Sequence, residues 1–223
     1  RLTVLSTGIG TDNIDIVLNE LDALVNVDLN TRQERDSHTT LNFIRIGTSG
    51  ALQEYLPVDK PVASAVSIGF DGLLNFYKDR DSVADLDAEE EFKAHTGWNE
   101  TLASPYFVSA NKELLAKVAG NMEKGITISA PGFYGPQGRI IRLDTQDNGL
   151  NDKLNGFSYD GLQITNYEME SSAIYGLSAL MGHNALTVCN IIANRMQKVY
   201  SNDYKKSMLV LIKQVLDSLV DND

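Results

Sequence analysis

Four short stretches of this chain carry side chains that could hold a small polar ligand. Arg45-Ile-Gly-Thr-Ser-Gly50 sets a guanidinium and two hydroxyls beside a glycine-bounded segment. A phosphate is held by a bidentate fork, a hydroxyl donor and backbone N–H groups that can approach closely, and this stretch offers all three. It also suits a structural arginine that satisfies buried carbonyls beside a tight turn, and the residues alone do not separate the two. No GK[ST] follows, so this is no Walker loop, and Thr7-Gly-Ile-Gly10 is not a GxGxxG fingerprint. Met169-Glu170, at a strand-to-helix turn, offers a carboxylate for two vicinal sugar hydroxyls and a thioether to pack on the ring. For Glu170 taken alone, attraction to the helix dipole is the simpler explanation. Gln137-Gly138-Arg139 combines a carboxamide, which donates and accepts, with a guanidinium, which donates. That pair suits a planar imide such as uracil; an exposed polar loop also accounts for it. Phe133 either stacks on a base or anchors the loop. Asn194-Arg195, after a long apolar run, is a fifth polar strand end.

These stretches need a scaffold that brings strand ends together. Leu2–Leu5 reads as a buried strand, followed by Gly8 and Gly10 and then a helix with Ile14, Val17, Leu18, Leu21, Leu24 and Val25 on one face. Thr11 or Asp12 is the expected N-cap. Asn26–Thr40 reads as a polar exposed loop, and Leu41–Ile46 as the next strand, giving a parallel βαβ start. Further strands are expected at Val62–Ile68, Gly125–Ala130, Gln163–Glu168 and Leu186–Ala193, the last buried on both faces. Helices are expected near Asp87–His95, Asn111–Gly120, Glu170–Met181 and Asp203–Val220. In the last of these, Met208, Leu209, Leu211, Ile212, Val215, Leu216 and Leu219 are expected to face inward. No repeat, low-complexity tract or linker divides the chain, so a single α/β domain over residues 1–223 is expected. In open α/β sheets, ligands sit at the carboxyl ends of strands.

Composition narrows the function. A net charge of −11 over 223 residues repels polyanions and argues against nucleic-acid binding. A few inward arginines can still make a local anion pocket. The sequence has no run of roughly 18 apolar residues, so no membrane span is expected. The single cysteine, Cys189, makes no intrachain disulfide, and a reducing cytoplasm is the simplest setting. His38, His95 and His183 are far apart and lack metal-ligand spacing, so no metal site is expected.

Taken together, Thr7-Gly-Ile-Gly10, Arg45-Ile-Gly-Thr-Ser-Gly50, Phe133 with Gln137 and Arg139, Tyr167-Glu-Met-Glu-Ser171 and Asn194-Arg195 resemble, in order, the motifs of nucleoside phosphorylases. The resemblance is to the uridine phosphorylase branch and covers nearly the whole chain. It implies a three-layer αβα fold with a mixed, strongly curved central sheet. It also implies a cytoplasmic hexamer built from dimers, with sites shared between subunits. The implied activity is that of a transferase in pyrimidine salvage: uridine and inorganic phosphate give uracil and α-ribose 1-phosphate, with no cofactor and no metal. Carried over residue by residue, Arg45 and Thr48 match phosphate ligands, Thr48 lying also near the ribose. Ser49 and Gly50 match positions beside the base, and Met169 and Glu170 the ribose site. Gln137 and Arg139 match the pair that reads uracil, with Phe133 an aromatic beside it. Ile192 and Ala193 would line the base pocket, and Arg195 would support the loop near Arg139. Arg45, Thr48, Glu170 and Arg139 are thus the expected catalytic group.

Purine-specific relatives place an acid where this chain has Asn194, which favours a pyrimidine. The family's Gly-Asp-Pro loop, a further Arg, and an Arg and a His given by a neighbouring subunit are not found in this sequence. The expectation is that the sequence opens inside the fold, downstream of further strands. Asn26–Thr40 is longer than the family pattern, and His38 within it is expected to be solvated. A purine nucleoside phosphorylase, a nucleosidase using water, and a non-catalytic nucleoside-binding paralogue stay open as alternatives. Uridine is not separated from deoxyuridine or thymidine.

Overall fold

In the computed structural model, which describes residues 2–220, helix α1 (Thr11–Asn26) buries Ile14 and Leu18, two residues of the apolar face read from the spacing. Its N-cap is Gly10, not a side chain of Thr11 or Asp12. Gly10 has φ +99°, which favours glycine, and a Cβ there would lie 2.7 Å from Asp12 Oδ1. The segment before it differs from expectation. Leu2–Leu5 forms no strand and is exposed, Val4 by 89%. The opening βαβ unit is therefore not formed.

After α1 come β1 (Val27–Asp28) and β2 (Gln33–Glu34), a small antiparallel hairpin inside the segment expected as plain loop. The main sheet uses β3 (Asn42–Ala51), β4 (Pro61–Gly69) and, after α2 (Leu86–Thr96), β5 (Tyr106–Ser109). Helix α3 (Lys112–Ala119) precedes β6 (Glu123–Ser129); α4 (Leu150–Gly156) and β7 (Ser158–Tyr159) precede β8 (Leu162–Glu168). Then follow α5 (Ser171–Leu180), β9 (Asn184–Asn194), β10 (Val199–Tyr200) and α6 (Tyr204–Val220). The sequence reading missed β5 and α4, both too short to show a periodicity. The outermost residues of the expected domain, 1 and 221–223, lie outside the described residues.

The strand order is β10-β9-β3-β8-β6-β4-β5, and β4 pairs back onto β9, so five strands close on themselves as a partial barrel. Pairing is mixed. β3 is parallel to β9 along its length but antiparallel to β8 at Gly50 and Ala51 only. β6 is parallel to both β4 and β8. One face of the sheet packs on α1, α3, α5 and α6 through Ile14, Leu114, Ile174 and Val215. The other packs on α2 and α4 through Phe92 and Leu154, with Phe107 and Phe157 around them. Each such buried side chain contributes about 1.5–3 kcal/mol. In α6 only Leu211 and Val215 are fully buried; Leu209 and Leu216 are exposed, against expectation. Among the described residues no helix is long and apolar enough to cross a membrane.

Candidate active site

Arg45 lies within β3, not at a strand end, because the strand continues through the Gly-Thr-Ser-Gly stretch to Ala51. A register shift between Ser49 and Gly50 replaces the expected turn. Its guanidinium folds back over Gly47, where a Cβ would come within 2.4 Å of Nη1. That glycine gives the side chain its path to the carboxyl end of β8. There Arg45 Nη1 is 3.1 Å from Glu168 Oε2, and Nη2 is ion-paired with Glu170. Nη1 also donates to the buried Cys189 thiol at 3.3 Å. Burial opposes the arginine's charge, but Glu168, Cys189 and Glu170 outweigh it and raise its pKa. Burial pushes the Cys189 thiol up to about 11, so it stays protonated.

Two buried carboxylates share this one guanidinium. Burial raises Glu170 above the usual glutamate range; Arg45 pulls it down, and like-charged Glu168 adds to the rise. The Gly10 N–H steadies the other Glu170 oxygen at 2.7 Å, tying the turn before α1 to this point.

Sequence reading passed over Glu168, a central member of the cluster. Its carboxylate accepts from the N–H groups of Glu170, at 2.9 Å, and Ser171, at 3.1 and 3.0 Å, and from Ser129 Oγ at 2.5 Å. It therefore caps the amino end of α5, where orphan N–H groups and the dipole both favour an anion. A glutamate two residues before Glu170 and just ahead of an apolar helical run was the available signal. Behind it, Ser172 donates from N to Ser129 Oγ (2.9 Å) and from Oγ to Asp71 (2.9 Å), which also accepts from Tyr106.

A second cluster forms around Gln137. Its Oε1 accepts from Arg139 Nη1 and Arg195 Nη2, each at 2.5 Å, and Arg195 Nη1 donates to its backbone carbonyl. Arg139 also donates to the Phe133 carbonyl at 2.6 Å and lies 3.8 Å from the centroid of the half-exposed Phe133 ring. Arg195 stacks on Tyr167 at 4.6 Å. Two guanidiniums on one oxygen fix the amide of Gln137, and burial together with Arg139 lowers the Arg195 pKa to about 10. Gly50 pairs with Tyr167 on one side and Ala193 on the other, and a Cβ there would lie 3.5 Å from Arg195 Nε.

Gly50 therefore joins the two clusters. Gly47, under the Arg45 guanidinium, and Gly50, beside Arg195, are about 10 Å apart along β3 at ~3.3 Å per residue. Between them are half-buried Thr48 and buried Ser49. Met169 is half-buried between the two glutamates, and Ile192 and Ala193 are half-buried at the end of β9. Among the described residues, Ser49 Oγ, Ser171 Oγ and Arg195 Nε are buried without a hydrogen-bond partner. Such groups are costly unless something else satisfies them. Asn194, by contrast, is spent internally, donating to the Gln53 and Leu56 carbonyls.

A cavity of about 530 Å³ lies elsewhere, between Leu2–Gly8, α1, β3 and α6, and reaches the cluster only at Arg45. Two of the three histidines, expected apart, meet: His38 and His183 stack at 5.4 Å beside Asp22, at the opposite end of β3 from Gly50.

The curved mixed sheet thus brings a buried Arg45–Glu168–Glu170 cluster and a Gln137–Arg139–Arg195 cluster to the two ends of the Gly47–Gly50 segment of β3. The chain belongs to the phosphorylase superfamily, whose family model matches residues 1–217. It is 27% identical over 204 residues to the uridine phosphorylase of Haemophilus influenzae, covering 91% of this chain and 68% of that protein. Against the uridine phosphorylase of Escherichia coli it is 29% identical over 202 residues, covering 89% and 66%. It thus spans about two thirds of the length of these relatives. A Trypanosoma brucei nucleoside phosphorylase, described as showing uridine phosphorylase activity, superposes with a TM-score of 0.82 at 26% identity, covering 97% of this chain and 79% of the other.

Proposed function

We propose that this protein cleaves uridine with inorganic phosphate, giving uracil and α-ribose 1-phosphate. The observation that carries the reading is the pairing, along about 10 Å of β3, of the Arg45–Glu170 cluster with the Gln137–Arg139–Arg195 cluster. A phosphate, a pentose and a pyrimidine laid end to end fill such a span. Named homologues that are uridine phosphorylases support the choice of nucleoside.

In this reading Arg45 and Thr48 hold phosphate, and Glu170 accepts from the sugar hydroxyls with Met169 under the ring. Gln137 and Arg139 donate to the uracil carbonyls, Phe133 covers the base, and Ser49, Gly50, Ile192 and Ala193 border it. A phosphate oxygen attacks C1′ while the C1′–N1 bond breaks, and its electron pair passes into the uracil ring. Donors aimed at the carbonyl oxygens stabilise that developing charge, which is the main catalytic term. The proton carried by phosphate balances the one gained by uracil. Positioning supplies the rest, without a covalent enzyme intermediate and without a cofactor. Arg195 acts through Gln137 as a positioning residue. We further propose a cytoplasmic homo-oligomer, a hexamer built from dimers, with sites shared between subunits.

The test is uracil release by the purified protein from uridine, with and without phosphate, and inosine in parallel. Phosphate-dependent release from uridine alone is expected. Release without phosphate would make it a nucleosidase, cleavage of inosine a purine enzyme, and no turnover a binding paralogue.

A further inference from the structure

The segment between α1 and β3 has no part in the reaction proposed above, yet its base is closely fastened. His183 Nδ1 accepts from the Leu41 N–H at 3.1 Å, and its Nε2 lies 3.1 Å from Asp22 Oδ1. A backbone N–H only donates, so Nδ1 is bare and the ring proton sits on Nε2, shared with Asp22. His38 Nε2 is 2.9 Å from the Met181 carbonyl, which only accepts, so that ring is also protonated on Nε2. The same Asp22 oxygen accepts from Asn26 at 2.7 Å, and Asn26 exchanges two hydrogen bonds with the Thr39 backbone. Thr40 Oγ1 donates to the Gly182 carbonyl at 3.2 Å. These contacts close the root of residues 27–41, beyond which β1 is half-buried and β2 exposed.

We propose that His183, His38 and Asp22 form a proton-operated latch on residues 27–41, closed while His183 is neutral and released when it takes a second proton. Protonation turns Nδ1 into a donor facing the Leu41 N–H, so that bond is lost. The charged and titratable groups facing the ring are Asp22 from α1 and His38 from the segment; Phe43 of β3 presents only an aromatic edge. Burial lowers the His183 pKa, His38 adds to this, and Asp22 opposes it. The sign follows. A histidine held neutral contributes stability above its unfolded pKa of about 6.5, and that contribution is lost as pH falls toward the lower folded value.

A metal fits the cluster poorly. A ligating histidine normally donates its other N–H to an acceptor. Here the other nitrogen of His183 meets a donor, so a metal on Nε2 would need a ring stripped of its last proton.

Amide hydrogen exchange across residues 27–41 between pH 7.5 and 5.5, corrected for the intrinsic rate, tests the latch. About a tenfold loss of protection is expected, the size of one lost hydrogen bond. Its midpoint should coincide with that of the His183 ring followed by NMR in the same unaltered protein. His183→Asn offers the Leu41 N–H an oxygen that does not titrate, and its protection should stay flat. Wild-type protection that is flat, a midpoint away from that of His183, or an unchanged loss in His183→Asn would overturn the proposal. So would added Zn²⁺ raising protection at pH 7, which would make the cluster a metal site. If His183→Asn does not fold, the comparison of midpoints decides.

Discussion

Arg45 and Glu170 are ion-paired, so the group proposed for phosphate and the group proposed for the sugar neutralise each other. Glu168 holds the same guanidinium from the side at 3.1 Å. A phosphate arriving at Arg45 competes with Glu170 and frees that carboxylate for hydroxyl donors. The two substrates are therefore coupled, and reciprocally so. Saturating phosphate should tighten uridine binding about tenfold, within the usual range of coupling energies. Calorimetric titration of uridine with and without phosphate measures it; equal affinities would show that the pair does not gate the sugar site.

Glu170→Gln should separate activity from stability. The amide still accepts from Gly10 and no longer repels Glu168, but it is a weaker acceptor for sugar hydroxyls. Losing a charged hydrogen bond of ~1.5–3 kcal/mol corresponds to roughly a 10- to 100-fold fall in kcat/KM. The carboxyl pKa is raised in the folded state, so its ionisation costs stability as pH rises from the unfolded value through the folded one. At pH 7 the variant should melt at or above the wild-type temperature. A lower Tm with unaltered kcat/KM would contradict both halves.

The same carboxyl should set the acid limb of the pH profile. Below its pKa Glu170 is protonated and no longer accepts from two hydroxyls, so kcat/KM should fall on the acid side at a pH above the ordinary glutamate range. Glu168→Gln removes the like charge and should move that limb to lower pH. An unmoved limb would assign it to another group.

Gly47→Ala tests whether the path of Arg45 matters. The added methyl would meet the guanidinium at 2.4–2.7 Å, so the side chain must leave its place over the strand. The KM for phosphate should rise about tenfold or more, the loss of a single charge-assisted contact of ~1.5 kcal/mol. An unchanged phosphate KM would mean that phosphate sits elsewhere.

Arg195→Ala should act on the uracil end of the site, chiefly through Gln137 and also by uncovering the Tyr167 ring. The carboxamide loses one of its two guanidinium donors and its fixed orientation. The KM for uridine should rise while the KM for phosphate holds, and Arg195→Lys, with one donor group in place of a fork, should recover only part. Parallel changes in both constants would mean a general loss of structure.

Much of this was legible in the sequence, for physical reasons. The apolar run through Leu186 marked β9 because a strand buried on both faces needs no polar alternation. Spacing placed α1 and α6, although the exposed Leu209 and Leu216 show that a helix can carry more apolar positions than it buries. Except for Glu168, the side chains of both clusters stand in motifs whose order along the chain resembles that of nucleoside phosphorylases, although each motif alone also has a structural explanation. Glu168 was missed since its role depends on N–H groups that exist only once α5 forms. Arg45 was placed at a turn because Gly-Thr-Ser-Gly reads as one, while pairing with β9 keeps it extended. His38 and His183 are 145 residues apart and met only through tertiary packing.

In the proposed reaction the sugar passes to phosphate. Phosphorus-31 NMR of the purified protein with uridine and inorganic phosphate tests it most directly. A sugar 1-phosphate signal should grow in step with uracil while inorganic phosphate falls by the same amount. Uracil appearing with phosphate unchanged would contradict the account and make water the nucleophile.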